Sequence, residues 1–250
     1  MFIGKESSES GNDIQRESKR TTLADALHHA GNPVEAEKLF REAEAMQQQS
    51  RPEYRYLYTI WGFRYCDLLL SRWQVQEVLE RAEHGIEIAR RKKWLLDIGL
   101  NTLSLGRAHF LQALRQGSGQ AVEDGGDPSI ELRTSFTKAF KYLNQAVKGL
   151  RESGQQDELP RGLLARAALY RTLENLDVAW EDLTEAQELA KRGEMGLHLA
   201  DYHLEACRLC LAEGKQEEAK KHQEIADEMI ERMGYGRRKS EVKELRLKFN

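Results

Sequence analysis

Three residues on one stretch of this chain have the types and spacing of metal ligands. His203, Cys207 and Cys210 follow one another at intervals of four and three residues, which places them on one face of an α-helix. Imidazole and thiolate groups are common zinc ligands, but a structural zinc site needs four ligands and the sequence offers no second cluster nearby. Two interpretations therefore stand side by side, a metal site and a set of core-packing side chains.

Other residue patterns give little support to catalysis. His28 and His29 have no serine, cysteine or carboxylate partner at a recognisable spacing. No glycine-rich phosphate loop of the Walker type is present, and paired carboxylates such as Glu217 and Glu218 are typical of solvated helix faces. We therefore expect no enzyme activity and no cofactor.

The two cysteines belong to a pattern that repeats along the chain. Ala167 and Tyr170 hold the places of Cys207 and Cys210 one repeat of 40 residues earlier. The anchors that open the second helix of each unit are Ala36, Val78, Ala139, Ala179 and Ala219. The interval from Val78 to Ala139 is 61 residues, which indicates an insertion of about 21 residues. A fixed period of this size predicts a stacked array of helix pairs.

The run Leu23-Ala24, Leu27, Gly31, Ala36, Phe40 and Ala43 carries a resemblance to a known family. Its small, large and alanine positions resemble the tetratricopeptide repeat. The resemblance implies an all-α, right-handed α-solenoid of about five helix-turn-helix units with a C-terminal capping helix. The chain departs from the family in its period, which is about 40 instead of 34 residues, and in lacking a unit with the full tryptophan-to-proline set.

A second, narrower resemblance concerns residues 157–170, from Asp157 to Tyr170. This run is similar to the C-terminal repeat arrays of bacterial signalling NTPases of the NACHT and STAND classes. The stretch from Arg64 to Leu79 is similar to them too. The resemblance implies a bacterial protein whose repeats act as the sensor arm of a larger NTPase.

Composition excludes several other classes of protein. The chain has 38 basic and 41 acidic side chains and a formal charge of −3, which does not favour a nucleic-acid partner. It has no apolar run of 18 residues and no charged-then-apolar leader, so we expect no membrane partner. Three cysteines, an odd count, fit a reducing compartment. We therefore expect a cytoplasmic protein.

The sequence predicts two regions. Residues 1–20 are polar and are expected to form a flexible segment, and residues 21–250 the repeat domain, whose first helix is capped by Thr21 or Thr22. A glycine-rich, acidic stretch at about 116–129 predicts a mobile loop. A short final helix is expected from Arg237 to Phe249, with Leu245, Leu247 and Phe249 covering the end of the stack.

The second unit is expected to begin with a long aromatic helix over residues 53–71. Its aromatic side chains either pack against the neighbouring units or, in the case of Tyr56 and Phe63, line a ligand groove.

In this family the first helix of each unit lines the concave groove. Carried over residue by residue, the resemblance implies a partner-binding groove lined by Arg64, Asp67, Arg107, Phe110, Arg171 and Arg208. The arginines are either ion-paired within the array or form a basic groove for an acidic peptide or protein. If the groove is basic, charge reversal at Arg107 and Arg208 should weaken binding without lowering thermal stability.

The sequence thus predicts a non-catalytic module that binds a peptide or protein surface or senses a ligand. A metal-binding protein or metal-dependent enzyme using His203, Cys207 and Cys210 is the alternative. A self-associating structural scaffold is the second alternative, and the sequence leaves the oligomeric state open.

Overall fold

The computed structural model describes residues 3–118 and 128–249. Within these ranges every regular element is helical, and no helix combines the length and the apolar composition needed to cross a membrane. The elements are α1 (Ile3–His29), α2 (Pro33–Ser50), α3 (Thr59–Ser71), α4 (Val75–Lys92), α5 (Leu95–Gly117), α6 (Pro128–Ser153), α7 (Leu159–Thr172), α8 (Leu176–Arg192), α9 (Gly196–Ala212), α10 (Gln216–Met233), a 3-10 turn (Gly236–Arg238) and α11 (Lys239–Arg246).

In residues 3–118 and 128–249 the helices form five consecutive pairs, from α1 with α2 to α9 with α10, and α11 follows as a terminal helix. All five alanine and valine anchors are fully buried: Ala36, Val78, Ala139, Ala179 and Ala219. A small side chain at this place lets the paired helices approach closely. The right-handed all-α array of five units with a terminal helix is confirmed.

The helices lie in two layers. Each first helix, α1, α3, α5, α7 or α9, contacts the first helix of the next unit, whereas the second helices make no such contacts with one another in the described ranges. Helices that touch their equivalents lie on the inside of a curved stack, because curvature spreads the outer layer apart. We call the exposed side of the first helices the inner face.

The first helix begins much earlier than the predicted cap. α1 starts at Ile3, and both Glu17 and Thr21 are fully buried in it. The carboxylate of Glu17 forms an ion pair with Arg51 at the end of α2. The predicted boundary at Thr21 or Thr22 is wrong because this polar stretch packs against the second helix, while the flexibility of residues 1–20 stays a prediction.

The first helix of the second unit begins later than expected, at Thr59 and not near residue 53. Side chains of α2 hold the preceding segment, which contains turns and bends, in a non-helical form. Gln47 Nε2 donates to the carbonyl of Tyr56 at 2.8 Å, and the backbone N–H of Leu57 donates to Glu44 at 2.8 Å. Tyr56 therefore lies outside the helix, and Phe63, with 1% of its surface exposed, belongs to the core.

Two further expectations concern loops and the chain end. The predicted mobile loop at 116–129 falls mainly on residues 119–127, which lie outside the described residues.

The final helix is shorter than predicted. Val242 and Leu245 pack into the core of the last unit, but Leu247 is 72% exposed, so the expectation that it covers the stack is wrong. The physical reason is that Leu247 lies two residues after Leu245, which places the two side chains on different sides of the helix end, so that only Leu245 faces the core.

Candidate interaction site on the inner face

The two ends of the array meet at the inner face. The 3-10 turn packs on the end of α1, where Gly236 lies directly against Ala30 and Gly31. A Cβ atom at position 236 would overlap the carbonyl oxygen of Ala30, and Gly31 has a φ of +86°, a conformation that favours glycine. Two glycines thus allow a backbone-to-backbone contact between α1 and the 3-10 turn. We call this contact, together with the side chains that hold the turn from Tyr235 to Arg238, the closure of the superhelix.

Asp67 lies at the centre of this closure. Its carboxylate, 5% exposed, forms an ion pair of 2.6 Å with Arg107 of α5 and accepts a hydrogen bond of 2.5 Å from Arg237 of the 3-10 turn. Burial alone would raise the pKa of Asp67, but the positive charges of Arg237 and Arg107 outweigh it and hold that pKa well below its usual range. Asp67 is therefore a buried anion held by two guanidinium groups.

His28 completes the cluster from α1. Its ring lies 3.9 Å from Asp67 and 3.4 Å from a guanidinium nitrogen of Arg237, and its surface is 1% exposed. Burial first, with Arg237 adding to it against the opposing effect of Asp67, lowers the pKa of His28 to about 3. The imidazole is neutral at pH 7, so it fills the junction without adding charge.

A second acidic residue holds the other side of the turn. Asp201 of α9 accepts a bond of 2.8 Å from Arg238 and one of 3.2 Å from the Tyr235 hydroxyl. The ring of Tyr235 is 2% exposed and stacks on His29 of α1, with 5.6 Å between the ring centroids. The turn is thus held by α1, α3 and α9 together.

A third acidic residue lies further along α9. Glu205 accepts a bond of 2.6 Å from Arg171 of α7 and one of 3.1 Å from Arg208. Arg208 also donates to Glu241 of α11 at 2.5 Å. Burial would raise the pKa of Glu241, but Arg238 and Arg208 lower it to about 2.

The structure brings some of the sequence-predicted groove residues together and separates others. Asp67 pairs with Arg107, and Arg171 meets Arg208 through a shared carboxylate. Arg64 pairs with a different carboxylate, Asp25 of α1, at 3.4 Å, while Phe110 is 9% exposed and packs in the core. Each of the four predicted groove arginines therefore has a carboxylate partner within the chain.

The sequence did not identify several residues of this site, among them Asp201, Glu205, Tyr235, Arg237 and Arg238. One sequence feature could have indicated a contact here, the pair Arg237-Arg238 next to Gly234 and Gly236. Glycines mark a break between helices, and charged residues at such a break do not form the solvated face of an amphipathic helix. Their partner residues lie in other units, which a repeat pattern does not identify.

The proposed metal ligands do not converge. Cys207 and Cys210 are 0% and 1% exposed and pack in the core of the last unit, and burial raises the pKa of Cys207 to about 11. His203 instead places its Nδ1 2.9 Å from Nδ1 of His222. In the described part of the chain, the one group of three potential ligands within 4.8 Å of each other is Asp25, His28 and His29.

Positive side chains oppose a cation at that group. Arg64 lies 3.4 Å from the carboxylate of Asp25, and Arg237 lies 3.4 Å from the ring of His28. Guanidinium groups at these distances repel a metal ion.

A cavity of about 270 Å³ adjoins the closure, between α1, α7, α9 and Tyr235. Arg161 and Glu158 form an ion pair of 2.7 Å at its wall. The Nδ1 atom of His198 is buried there without a hydrogen-bond partner among the described residues, and burial lowers the pKa of His198 to about 4.

Comparison with known proteins supports the fold. No family model matches the sequence, and no curated protein matches it. The structure is similar to the crystal structure of a thermophilic TPR protein from Thermus thermophilus, with a TM-score of 0.61 and 18% identity over 93% of this chain and 96% of that chain. At this identity the likeness shows the fold alone. The fold is that of a tetratricopeptide-repeat-like array.

Proposed function

We propose that this chain is a non-catalytic interaction module that binds a peptide or protein surface on its inner face. The observation that carries the proposal is the continuous inner layer of first helices, in a fold whose repeats generally serve protein interaction. Charged side chains remain accessible on that layer. Arg64, Arg107, Arg171 and Arg208 keep between 25% and 29% of their side-chain surface exposed although each is ion-paired.

The narrower form of the proposal makes the array the sensor arm of a larger bacterial signalling NTPase. Its support is the sequence resemblance of residues 157–170, which cover the start of the fourth helix pair. Three free, buried cysteines agree with a reducing, cytoplasmic setting.

A peptide-display library panned against the full chain tests the general proposal. We expect enrichment of peptides whose affinity falls at least about tenfold with Arg64→Trp, because a bulky side chain on the inner layer obstructs peptides of either charge. Arg41→Trp is the matched control, because Arg41 lies on the outer helix α2 in an exposed pair with Glu37. Peptides that bind both variants equally, or no enrichment at all, would refute the inner face as the binding surface.

A further inference from the structure

We propose that the inner face recognises arginine-bearing segments, and that the chain's own turn from Tyr235 to Arg238 is the ligand that occupies it in this structure. This inference rests on the proposed function and assigns the chemistry of the partner. It replaces the acidic partner expected from the sequence with a basic one.

The contacts of the turn are those of a bound peptide. Arg237 bonds to Asp67 of α3, Arg238 bonds to Asp201 of α9, and the Tyr235 ring stacks on His29 of α1. Three first helices that are far apart in sequence therefore supply one binding surface for four consecutive residues. Segment recognition by several repeats is what a curved array of helix pairs allows.

The charges of the inner face determine which segment fits. Asp67 is 5% exposed and Asp201 13% exposed, and a carboxylate so far removed from water needs charged hydrogen-bond donors. A guanidinium group supplies several donors in a planar fork, which a lysine ammonium does not. An acidic segment would bring like charge to the same carboxylates. An arginine-bearing segment is the chemistry that restores both the second guanidinium partner of Asp67 and the guanidinium partner of Asp201.

The turn is a strong competitor because it is part of the same chain. A short tether gives it an effective concentration in the millimolar range, so a free segment binds weakly while the turn is seated. Gly236 offers a way to loosen the turn without changing any charge. A methyl group at this position overlaps the backbone of Ala30, so Gly236→Ala should release the turn from α1 and leave Asp67 and Asp201 available.

The test measures binding of a fluorescent peptide covering residues 233–240 to the full chain by anisotropy. We expect the Gly236→Ala chain to bind at least about tenfold more tightly than the unaltered chain, because the internal competitor is weakened. Gly117→Ala is the matched control, since a Cβ atom there meets only a side-chain carbon at 3.8 Å. Peptides in which both arginines are replaced by glutamine, lysine or glutamate show whether binding requires the guanidinium groups.

The peptide series separates the outcomes. The proposal is supported if the arginine peptide binds, the lysine peptide binds more weakly, and the glutamine and glutamate peptides do not bind. Equal binding of all peptides, tighter binding of the glutamate peptide, or no gain from Gly236→Ala overturns it. If Gly236→Ala fails to fold by circular dichroism, Arg237→Gln takes its place as the loosened chain. The display experiment is blind to charge, so inner-face peptides without arginine would refute this inference and leave the proposed function standing.

Discussion

Arg237 donates a hydrogen bond of 2.5 Å to Asp67 across 170 residues of chain. This bond joins the turn before the last helix to the second unit of the array. Asp67 is already paired with Arg107, so the contact adds a second guanidinium to a buried carboxylate. The array is therefore not an open stack with two free ends, because its C-terminal turn is packed into its own inner face.

Charge reversal at Arg107 and Arg208 together should now destabilise the fold, contrary to the expectation from the sequence. Each arginine pairs with a carboxylate that is less than a tenth exposed, Asp67 and Glu205 respectively. Placing a second negative charge beside a buried carboxylate should cost about 3 kcal/mol or more of unfolding free energy. Denaturant titration measures this free energy of unfolding. Lys148→Glu, at a lysine that is 77% exposed, is the control and should leave stability nearly unchanged. Unchanged stability of the double variant would contradict the buried pairs.

The free energy of unfolding should fall as the pH drops from 7.5 to 5. His28 takes up a proton near pH 6.5 when unfolded but only near pH 3 when folded, so the unfolded state binds more protons between these values. The contribution of the buried, neutral His28 to stability is fully present above pH 6.5 and is lost progressively below it. For His28 alone the loss at pH 5 is on the order of 2 kcal/mol.

Burial lowers the pKa of His198 to about 4, so His198 adds to the loss of stability between pH 7.5 and 5. The pKa values of Asp67 and Glu241 are also lowered, but protonation of these carboxylates reduces stability only in more acidic solution. Chemical denaturation at the two pH values measures the difference, and His28→Gln should reduce it. A stability that does not change between pH 7.5 and 5 would show that these histidines are not buried as described.

The three thiols should be inert in the native protein. Cys66, Cys207 and Cys210 are at most 1% exposed, and burial raises the pKa of Cys66 to about 12. We expect a disulfide reagent such as dithionitrobenzoate to modify them at least about a hundredfold faster in denaturant than in buffer, because the thiolate is the reactive form and native burial suppresses it. Rapid native labelling of Cys207, or stoichiometric zinc lost on Cys207→Ala, would revive the metal-site hypothesis.

The sequence predicted the helix pairs because their packing is local and periodic. Ala179 and Ala219 face the same kind of neighbour 40 residues apart, so one pattern identifies both. Composition misled at two places where polar side chains make tertiary contacts. Glu17 of α1 pairs with Arg51, and Gln47 of α2 holds the segment before α3 in a non-helical form.

The closure was not predictable in the same way. The path of the superhelix depends on small rotations that accumulate over successive units, and a sequence repeat does not encode where the last unit meets the first. Asp67 and Arg107 were identified through the family resemblance, but Arg237, the second arginine that pairs with Asp67, lies outside any repeat.

A double-mutant cycle between Asp67 and Arg237 tests the closure most directly. The unfolding free energies of Asp67→Asn, Arg237→Gln and the double variant give the coupling between the two ends of the array. We predict a coupling of about 2 kcal/mol, against less than about 0.5 kcal/mol for the control cycle on the exposed pair of Arg246 and Asp227. A coupling between Asp67 and Arg237 no larger than that of the control pair would contradict a superhelix closed on its own C-terminal turn.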